Sequence, residues 1–185
     1  MIADVLRIAG ISGSLRQGSY NTATLKAARE LAPDGVEVDI ITLEDVELFN
    51  EDVEAKGWPP RVQELRKRIE PADAVLFATP EYNYSVPGVL KNAIDWLSRP
   101  ERKGPIFNKP AAIVGATPSM IGTARAQMHL RQVVFYNGMP LLPTAEVLIA
   151  RAGDRFQDGR LTDGETRDFL RNFMAQFADW ARAHR

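Results

Sequence analysis

Residues 10–24 read GISGSLRQGSYNTAT, and this stretch decides the fold. It follows a short apolar run at residues 5–9 and precedes apolar residues at helical spacing, Leu25, Ala28 and Leu31. The pattern predicts a strand, a polar loop and the first turn of a helix. Such a junction directs backbone N–H groups and the positive end of the helix dipole toward one point, where a phosphate binds well.

The side chains of this loop also suit a phosphate. Arg16 offers a planar set of N–H donors, and the glycines of the loop allow tight turns. Short hydroxyl or amide groups come from Ser12, Ser14, Ser19, Asn21, Thr22 and Thr24. The spacing excludes the GxxxxGK[ST] and GxGxxG nucleotide loops, which leaves a loop suited to a terminal monophosphate. The simpler alternative is a Ser-rich connection in which a Ser or Asn only caps the helix.

Length and composition narrow the class of protein. The chain has 185 residues, of which 45% are hydrophobic, and we expect one globular domain over residues 1–185. The formal net charge of −1 gives no general basic surface for a nucleic acid. No apolar run approaches the roughly 18 residues that span a membrane, and no secretory signal pattern is present. We therefore expect a cytoplasmic protein without nucleic-acid or membrane partners.

Cysteine is absent from the sequence, which excludes disulfides, thiolate nucleophiles and cysteine metal ligands. The histidines are His129 and His184, and they lie far apart in sequence. A histidine-based metal cluster is therefore not expected.

Four further segments read as strands, at residues 36–41, 74–78, 110–115 and 141–149. Residues 74–78 and 110–115 are continuous apolar runs, as expected for strands buried on both faces of a parallel sheet. Segments with apolar residues at helical spacing lie between the strands, and residues 43–60 form an acidic connection. A last helix starting near Asp163 carries an aromatic stripe, which we expect to lie in the core or in a subunit interface: Phe169, Phe173, Phe177 and Trp180. Five strands alternating with five helices predict a doubly wound three-layer α/β domain with strand order 2-1-3-4-5.

In that fold the ligand lies beyond the carboxyl ends of the strands, so the loops after strands one, three and four should form the site. The loop after strand three, TPEYNYSVPG at residues 79–88, has two prolines that restrict its backbone and two aromatic rings, Tyr82 and Tyr84. The loop after strand four, ATPSMIGT at residues 116–123, is small and uncharged. Together the loops suit flavin mononucleotide, a flat ring with a phosphate tail. The alternative for the two tyrosines is a subunit interface.

The segments GSLRQGSYN (residues 13–21) and PEYNYSVPGVLKNAIDW (residues 80–96) resemble the NADPH-dependent FMN reductase family. This family has a flavodoxin-like fold and includes bacterial quinone, chromate and azo-dye reductases. The likeness runs from Val5 to about Leu148. By position it implies phosphate binding by Ser14, Arg16, Ser19, Asn21 and Thr22, and a wall for the isoalloxazine ring from Pro80, Glu81, Tyr82, Asn83, Tyr84 and Ser85. It implies that Thr117, Ser119 and Gly122 face the pyrimidine side of the ring, although many relatives have a Gly-rich run there.

The resemblance implies an FMN-dependent oxidoreductase that passes two electrons from NADPH or NADH to quinones or other small acceptors, such as flavins, azo dyes or chromate. We expect a ping-pong mechanism and no catalytic side chain, because the flavin itself carries the hydride chemistry. We also expect a homodimer or homotetramer, with Tyr84, Val86, Pro87, Val89, Arg125 and Glu146 as interface candidates. Two alternatives are a flavodoxin-type electron carrier and a non-catalytic FMN-binding protein.

Overall fold

Parallel strands alternate with helices through most of the chain. The computed structural model describes residues 5–143 and 146–185. The first half contains β1 (Leu6–Ser12), α1 (Tyr20–Glu30), β2 (Val36–Ile41), α2 (Glu51–Glu54), α3 (Pro60–Ile69), β3 (Ala74–Ala78) and α4 (Gly88–Leu97). The second half contains β4 (Ala111–Ala116), α5 (Ala124–Tyr136), β5 (Val147–Ile149), α6 (Ala152–Arg155), β6 (Phe156–Gln157), β7 (Arg160–Leu161) and α7 (Gly164–His184).

The five-stranded sheet has the order β2-β1-β3-β4-β5, and all its neighbours pair in parallel. This confirms the predicted strand order and the flavodoxin-like α/β fold. Strands β3 and β4 are buried along their whole length, as their continuous apolar runs predicted. Helices α1 and α7 cover one face of the sheet, while α3, α4 and α5 cover the other. The carboxyl ends of β1, β3 and β4 are thereby brought side by side at one edge.

The predicted fifth strand, residues 141–149, was too long. Among the described residues of this segment, 141–143 and 146–149, only Val147–Ile149 form a strand, and Leu141 forms an isolated bridge with Ala111. Pro140 and Pro143 flank that bridge, and a proline has no N–H to continue a ladder. Thr144 and Ala145, which the prediction included, lie outside the described residues.

Four short elements, α2, α6, β6 and β7, were not predicted. The acidic connection contains the single helical turn α2, which Asn50 caps by accepting a hydrogen bond from the Asp52 N–H at 2.8 Å. After β5, α6 leads into the antiparallel hairpin of β6 and β7. These segments are too short to show a periodic apolar pattern.

The last helix begins where the sequence predicted. Asp163 is the N-cap of α7, and its carboxylate accepts a hydrogen bond from the Thr166 N–H at 2.9 Å. Phe173 and Phe177 are buried in the core, whereas Phe169 is 49% exposed, which leaves the subunit interface as the expected place for Phe169. Across residues 5–143 and 146–185, none of the helices has the length and apolar character needed to cross a membrane.

Candidate functional site

The loops after β1, β3 and β4 enclose a cleft of about 430 Å³. This volume lies within the range of about 300–1,000 Å³ that is typical of cofactor and small-molecule sites. The cleft is lined by residues of all three loops: Ser14, Arg16, Ser19, Tyr20, Asn21, Pro80, Glu81, Tyr82, Ala116, Thr117 and Pro118. The structure therefore brings together the three loops that the sequence predicted to form the site.

The first loop ends at the N-terminus of α1. Ser19 has extended backbone angles (φ −69°, ψ 123°) and accepts a hydrogen bond from the Thr22 N–H at 3.3 Å, which makes it the N-cap of this 11-residue helix. Ser14 is buried, and its hydroxyl accepts a hydrogen bond from the Arg16 N–H at 3.3 Å. Both serines line the cleft, so the positive end of α1 opens into it.

Arg16 brings a positive charge to the same end of the cleft. One of its terminal nitrogens donates to the Gly18 carbonyl at 2.6 Å, and its guanidinium carbon lies 5.4 Å from the centre of the Tyr20 ring. An added Cβ at Gly18 would have Arg16 as its nearest neighbour, at 4.0 Å. The backbone of the loop is therefore open to close approach by a ligand.

Asn21 and Thr22 use their side chains within the protein. The Asn21 amide donates to the Ala116 carbonyl and accepts from the Ala116 N–H, both at 2.9 Å, while only 3% of the residue is exposed. The Thr22 hydroxyl pairs with the Ser12 hydroxyl at 2.8 Å. These two side chains therefore hold α1 against β1 and β4. Because the Thr22 N–H already donates to the Ser19 hydroxyl, the N–H that this pair can offer to a phosphate is that of Asn21 in the first helical turn.

The second loop is a tight turn. Tyr82 and Ser85 exchange backbone hydrogen bonds at 3.1 and 3.0 Å, and Asn83 and Tyr84 have φ angles of 49° and 62°. Positive φ at both central positions is the signature of a type I′ turn, which reverses the chain within two residues. Pro80, Glu81 and Tyr82 consequently line the cleft, whereas Asn83, Tyr84 and Ser85 are not among its lining residues.

The far side of this turn lies against α5. The Tyr84 ring stacks with the Arg125 guanidinium at 3.9 Å, and the Ser85 hydroxyl hydrogen-bonds the His129 Nδ1 at 3.0 Å. These contacts with α5 explain why only the first half of the loop lines the cleft, although the predicted flavin wall extends from Pro80 to Ser85. Tyr84 is 64% exposed and Tyr82 52% exposed, so both rings keep a free surface.

Glu81 fastens the loop to the N-terminus of α5. One of its carboxylate oxygens accepts from the N–H groups of Arg125 and Ala126 at 3.0 and 3.1 Å. The residue before the helix, Thr123, has a left-handed backbone (φ 68°) and makes no side-chain cap bond. Glu81 thus supplies the cap that α5 otherwise lacks. A carboxylate held in this way acts as a structural tether for the loop.

The third loop contributes its beginning to the cleft. Ala116, Thr117 and Pro118 line it, and the Thr117 N–H donates to the Ile149 carbonyl at 2.9 Å. Ser119 and Gly122 are not among the lining residues. Gly122 has a φ of 63° and packs on β5, where an added Cβ would lie 2.7 Å from the Leu148 carbonyl carbon. Both this close approach to β5 and the left-handed backbone require a glycine at position 122.

Sequence reasoning missed three lining residues, Tyr20, Ala116 and Pro118. Tyr20 directly follows the N-cap residue Ser19, and the other two stand at the start of a loop already assigned to the site. Their positions next to predicted site residues were the available signal.

The residues of the cleft fit FMN. A helix N-terminus, Ser14, Ser19 and Arg16 form a donor set for a phosphate at one end. Pro80, Tyr82 and Pro118, from the other two loops, offer flat apolar surface, and Thr117 adds a hydroxyl. A flat ring with a monophosphate tail matches this division between polar donors and apolar walls.

Comparison with known proteins agrees with this chemistry. The model of the family described as NADPH-dependent FMN reductase matches residues 6–154. The chain is 47% identical over 182 residues to a protein of Pseudomonas aeruginosa named NAD(P)H-dependent FMN reductase, and the match covers 98% of each. It is 40% identical over 184 residues to a quinone reductase of Pseudomonas putida, covering 100% of this chain and 99% of the relative.

Among solved structures, the chain resembles FerB, a flavoenzyme NAD(P)H:(acceptor) oxidoreductase from Paracoccus denitrificans. The TM-score is 0.87 and the sequence identity 38%, and the match covers 97% of this chain and 99% of FerB. The likeness in fold therefore extends over nearly the whole of both chains.

Proposed function

Because the chain belongs to the NADPH-dependent FMN reductase family, we propose that it holds FMN in the cleft described above and passes two electrons from NAD(P)H to a quinone or a similar small acceptor. It is an oxidoreductase, and FMN and NAD(P)H are its cofactors, as the resemblance implied. The observation that carries the site assignment is the convergence of a helix N-terminus, Arg16 and flat apolar walls in one cleft.

The phosphate of FMN is assigned to the α1 end of the cleft. Arg16 donates from its guanidinium, Ser14 and Ser19 offer hydroxyl groups, and the first turn of α1 offers backbone N–H groups. Asn21 and Thr22 contribute by holding that turn in place, through Ala116 and Ser12. Charge-assisted hydrogen bonds to a fixed donor set favour a phosphorylated flavin over riboflavin.

The ring of FMN is assigned to the opposite end, between Pro80, Tyr82, Thr117 and Pro118. When bound, FMN supplies the hydride chemistry. The protein positions the ring, keeps one face accessible and offers N–H groups of the two loops to its polar edge. Glu81 keeps the Pro80–Tyr82 wall in place by its bonds to α5.

We extend the proposal to the order of events. NAD(P)H and the acceptor both need contact with the accessible face, so they would use the cleft in turn, in a ping-pong mechanism. An open, flat face selects weakly among acceptors, which supports other flavins, azo dyes and chromate as further substrates. The proposal includes one FMN-binding domain over residues 1–185 and a cytoplasmic location. The net charge of −1 supports a protein without nucleic-acid partners.

We also propose that the protein is a homo-oligomer. Helix α5 exposes large apolar side chains, with Met128, Phe135 and Tyr136 at 55%, 83% and 68% exposure. Of the interface candidates named from the sequence, Pro87 is buried, Val86 packs on the core and Glu146 pairs with Arg131 in the same chain. Tyr84 remains exposed beside α5. A second copy covering this surface would remove it from water.

The proposed function is tested by flavin binding and turnover together. Purified protein should bind FMN non-covalently, quench its fluorescence on titration and consume NADPH when a benzoquinone is added. Protein stripped of flavin should regain activity with FMN and much less with riboflavin. If the protein does not quench the fluorescence of added FMN, and so does not bind it, the proposal is refuted. FMN binding without NADPH consumption would instead favour an electron carrier or a non-catalytic flavin protein.

A further inference from the structure

Three side chains form a stack that links the phosphate loop to a distant hairpin. The Arg16 guanidinium carbon lies 5.4 Å from the centre of the Tyr20 ring. The Tyr20 ring in turn lies 5.2 Å from the Phe156 ring, at an interplanar angle of 53°. Phe156 is 8% exposed and belongs to the core, Tyr20 is half-buried, and Arg16 is exposed. The stack therefore runs from the core to the mouth of the cleft.

The inner end of the stack is firmly held. Arg155, the residue before Phe156, donates to the Asp163 carboxylate at 2.8 Å and to the Thr166 hydroxyl at 2.6 Å. Its backbone carbonyl accepts from the N–H groups of Thr162 and Asp163 at 2.9 and 3.2 Å. The contacts of Arg155 with the N-terminus of α7 thus fix the position of Phe156. The Tyr20 ring packs against Phe156 and connects the phosphate loop to it.

The region matched by the family model contains only one partner of the aromatic pair. The family model matches residues 6–154, so Phe156 and the β6–β7 hairpin lie beyond the matched region. Tyr20 lies within it, but the aromatic pair needs both partners. The family model therefore does not account for the contact between Tyr20 and Phe156.

We propose that Tyr20 and Phe156 are positioning residues for Arg16, and that they strengthen the preference of the cleft for FMN over riboflavin. This inference rests on the proposed function. An exposed arginine samples many rotamers, and ordering it on binding costs affinity. A ring beneath the guanidinium, together with the bond to Gly18, restricts Arg16 before the ligand arrives. The benefit should appear only with a ligand that carries the phosphate.

The test compares the dissociation constants of FMN and riboflavin by fluorescence titration of the full-length, flavin-free protein. Phe156→Leu keeps apolar volume but removes the ring. It should weaken FMN binding about two- to fivefold, as expected for losing support of a cation–π contact, and leave riboflavin binding unchanged. In an Arg16→Ala background the same change should have no further effect on FMN. Tyr20→Phe, which keeps the ring, should retain the wild-type preference.

The control is Phe177→Leu, because Phe177 is also a buried aromatic residue but pairs with Phe173 in α7. Phe177→Leu should not change the ratio of the FMN and riboflavin dissociation constants. The inference would be overturned if Phe156→Leu weakened the binding of FMN and riboflavin equally. It would also be overturned if Phe156→Leu weakened FMN binding by the same factor in the Arg16→Ala background. If Phe156→Leu does not fold, Tyr20→Leu gives the same comparison, and an unchanged ratio overturns the positioning role. Wild-type protein that binds neither flavin would refute the proposed function itself, whereas an FMN-binding protein with unaltered ratios refutes only this inference.

Discussion

At the scale of single residues, the substitution of Arg16 tests the phosphate site directly. Arg16→Ala should weaken FMN binding by roughly 1.5–3 kcal/mol, because a charge-assisted hydrogen bond to the phosphate is lost. That range corresponds to about 10- to 150-fold in the dissociation constant, measured by fluorescence titration. Arg29→Ala is the matched control, since Arg29 is an exposed arginine in the last turn of α1, the helix that follows the Arg16 loop. Similar effects of the two changes would argue against a phosphate at Arg16.

Residue identity predicted which loops form the cleft but not what each side chain does there. Asn21 is a polar residue in a phosphate loop, and its amide nevertheless pairs with Ala116, which lies 95 residues away in sequence. Glu81 lies in the flavin loop and caps α5. A polar side chain near a ligand site can bind the ligand or hold the surrounding elements together. Which of the two it does depends on hydrogen-bond partners that are distant in sequence.

At the scale of elements, the tie between Glu81 and α5 predicts a loss of stability. Glu81→Ala removes the acceptor for two N–H groups at the helix N-terminus and should cost about 0.5–2 kcal/mol of unfolding free energy. Glu81→Gln should cost less, because an amide oxygen still accepts. The measurement is denaturant unfolding of the flavin-free protein.

Glu37→Ala is the control for the Glu81 prediction, since Glu37 is exposed on β2. It should change the unfolding midpoint little. Were the Glu81 variants no less stable than the Glu37 variant, the capping role would be wrong.

The N-cap of α7 predicts a dependence of stability on pH. The hydrogen bond from the Thr166 hydroxyl, and then that from its backbone N–H, lower the pKa of Asp163, and Arg155 adds to this. A carboxyl whose pKa falls on folding contributes stability that is complete above its unfolded pKa, about 3.9, and is lost as the pH drops toward the folded value. Asp163→Asn should therefore be less stable than the wild type at pH 7, and the gap should narrow below about pH 4.

Thermal unfolding of both proteins between pH 3 and 7 measures this gap. Asp34→Asn, in the exposed turn before β2, should follow the wild type throughout. A gap for Asp163→Asn that stays constant with pH would show that the carboxylate charge is not responsible.

Long periodic elements were predictable and short ones were not. The buried strands β3 and β4 and the helices α4 and α5 match their apolar patterns, because burial on both faces or on one stripe leaves a clear signature. The α2 turn, the truncated β5 and the β6–β7 hairpin depend on caps, prolines and tertiary contacts. The hairpin was missed for this reason, although it supplies the support for Tyr20.

At the scale of the whole molecule, the exposed face of α5 predicts the assembly. Light scattering at micromolar concentration should give a multiple of the 20.6 kDa chain mass. Phe135→Glu should shift the assembly toward the monomer, because a charge at an 83% exposed apolar position disfavours burial against a second copy. Met128→Leu, which keeps the surface apolar, is the control. A clean monomer of the wild type would refute the assembly.

The shared cleft predicts the kinetic pattern. If NAD(P)H and the acceptor occupy it in turn, double-reciprocal plots at several quinone concentrations should be parallel. NADP⁺ should then compete with the quinone, because both enter the cleft at the same stage. Intersecting lines would mean that the two substrates are bound together, which would contradict the ping-pong proposal.

The Asn21–Ala116 pairing also bears on how the protein is made. The two residues are 95 positions apart, and a ribosome that adds about 5–20 residues per second needs roughly 5–20 seconds to travel between them. Throughout that interval the first loop has been synthesised but its anchor on β4 has not. Phe156, which supports Tyr20, emerges later still. The cleft therefore cannot close on a flavin early in translation, and the cofactor is held only after β4 has been synthesised.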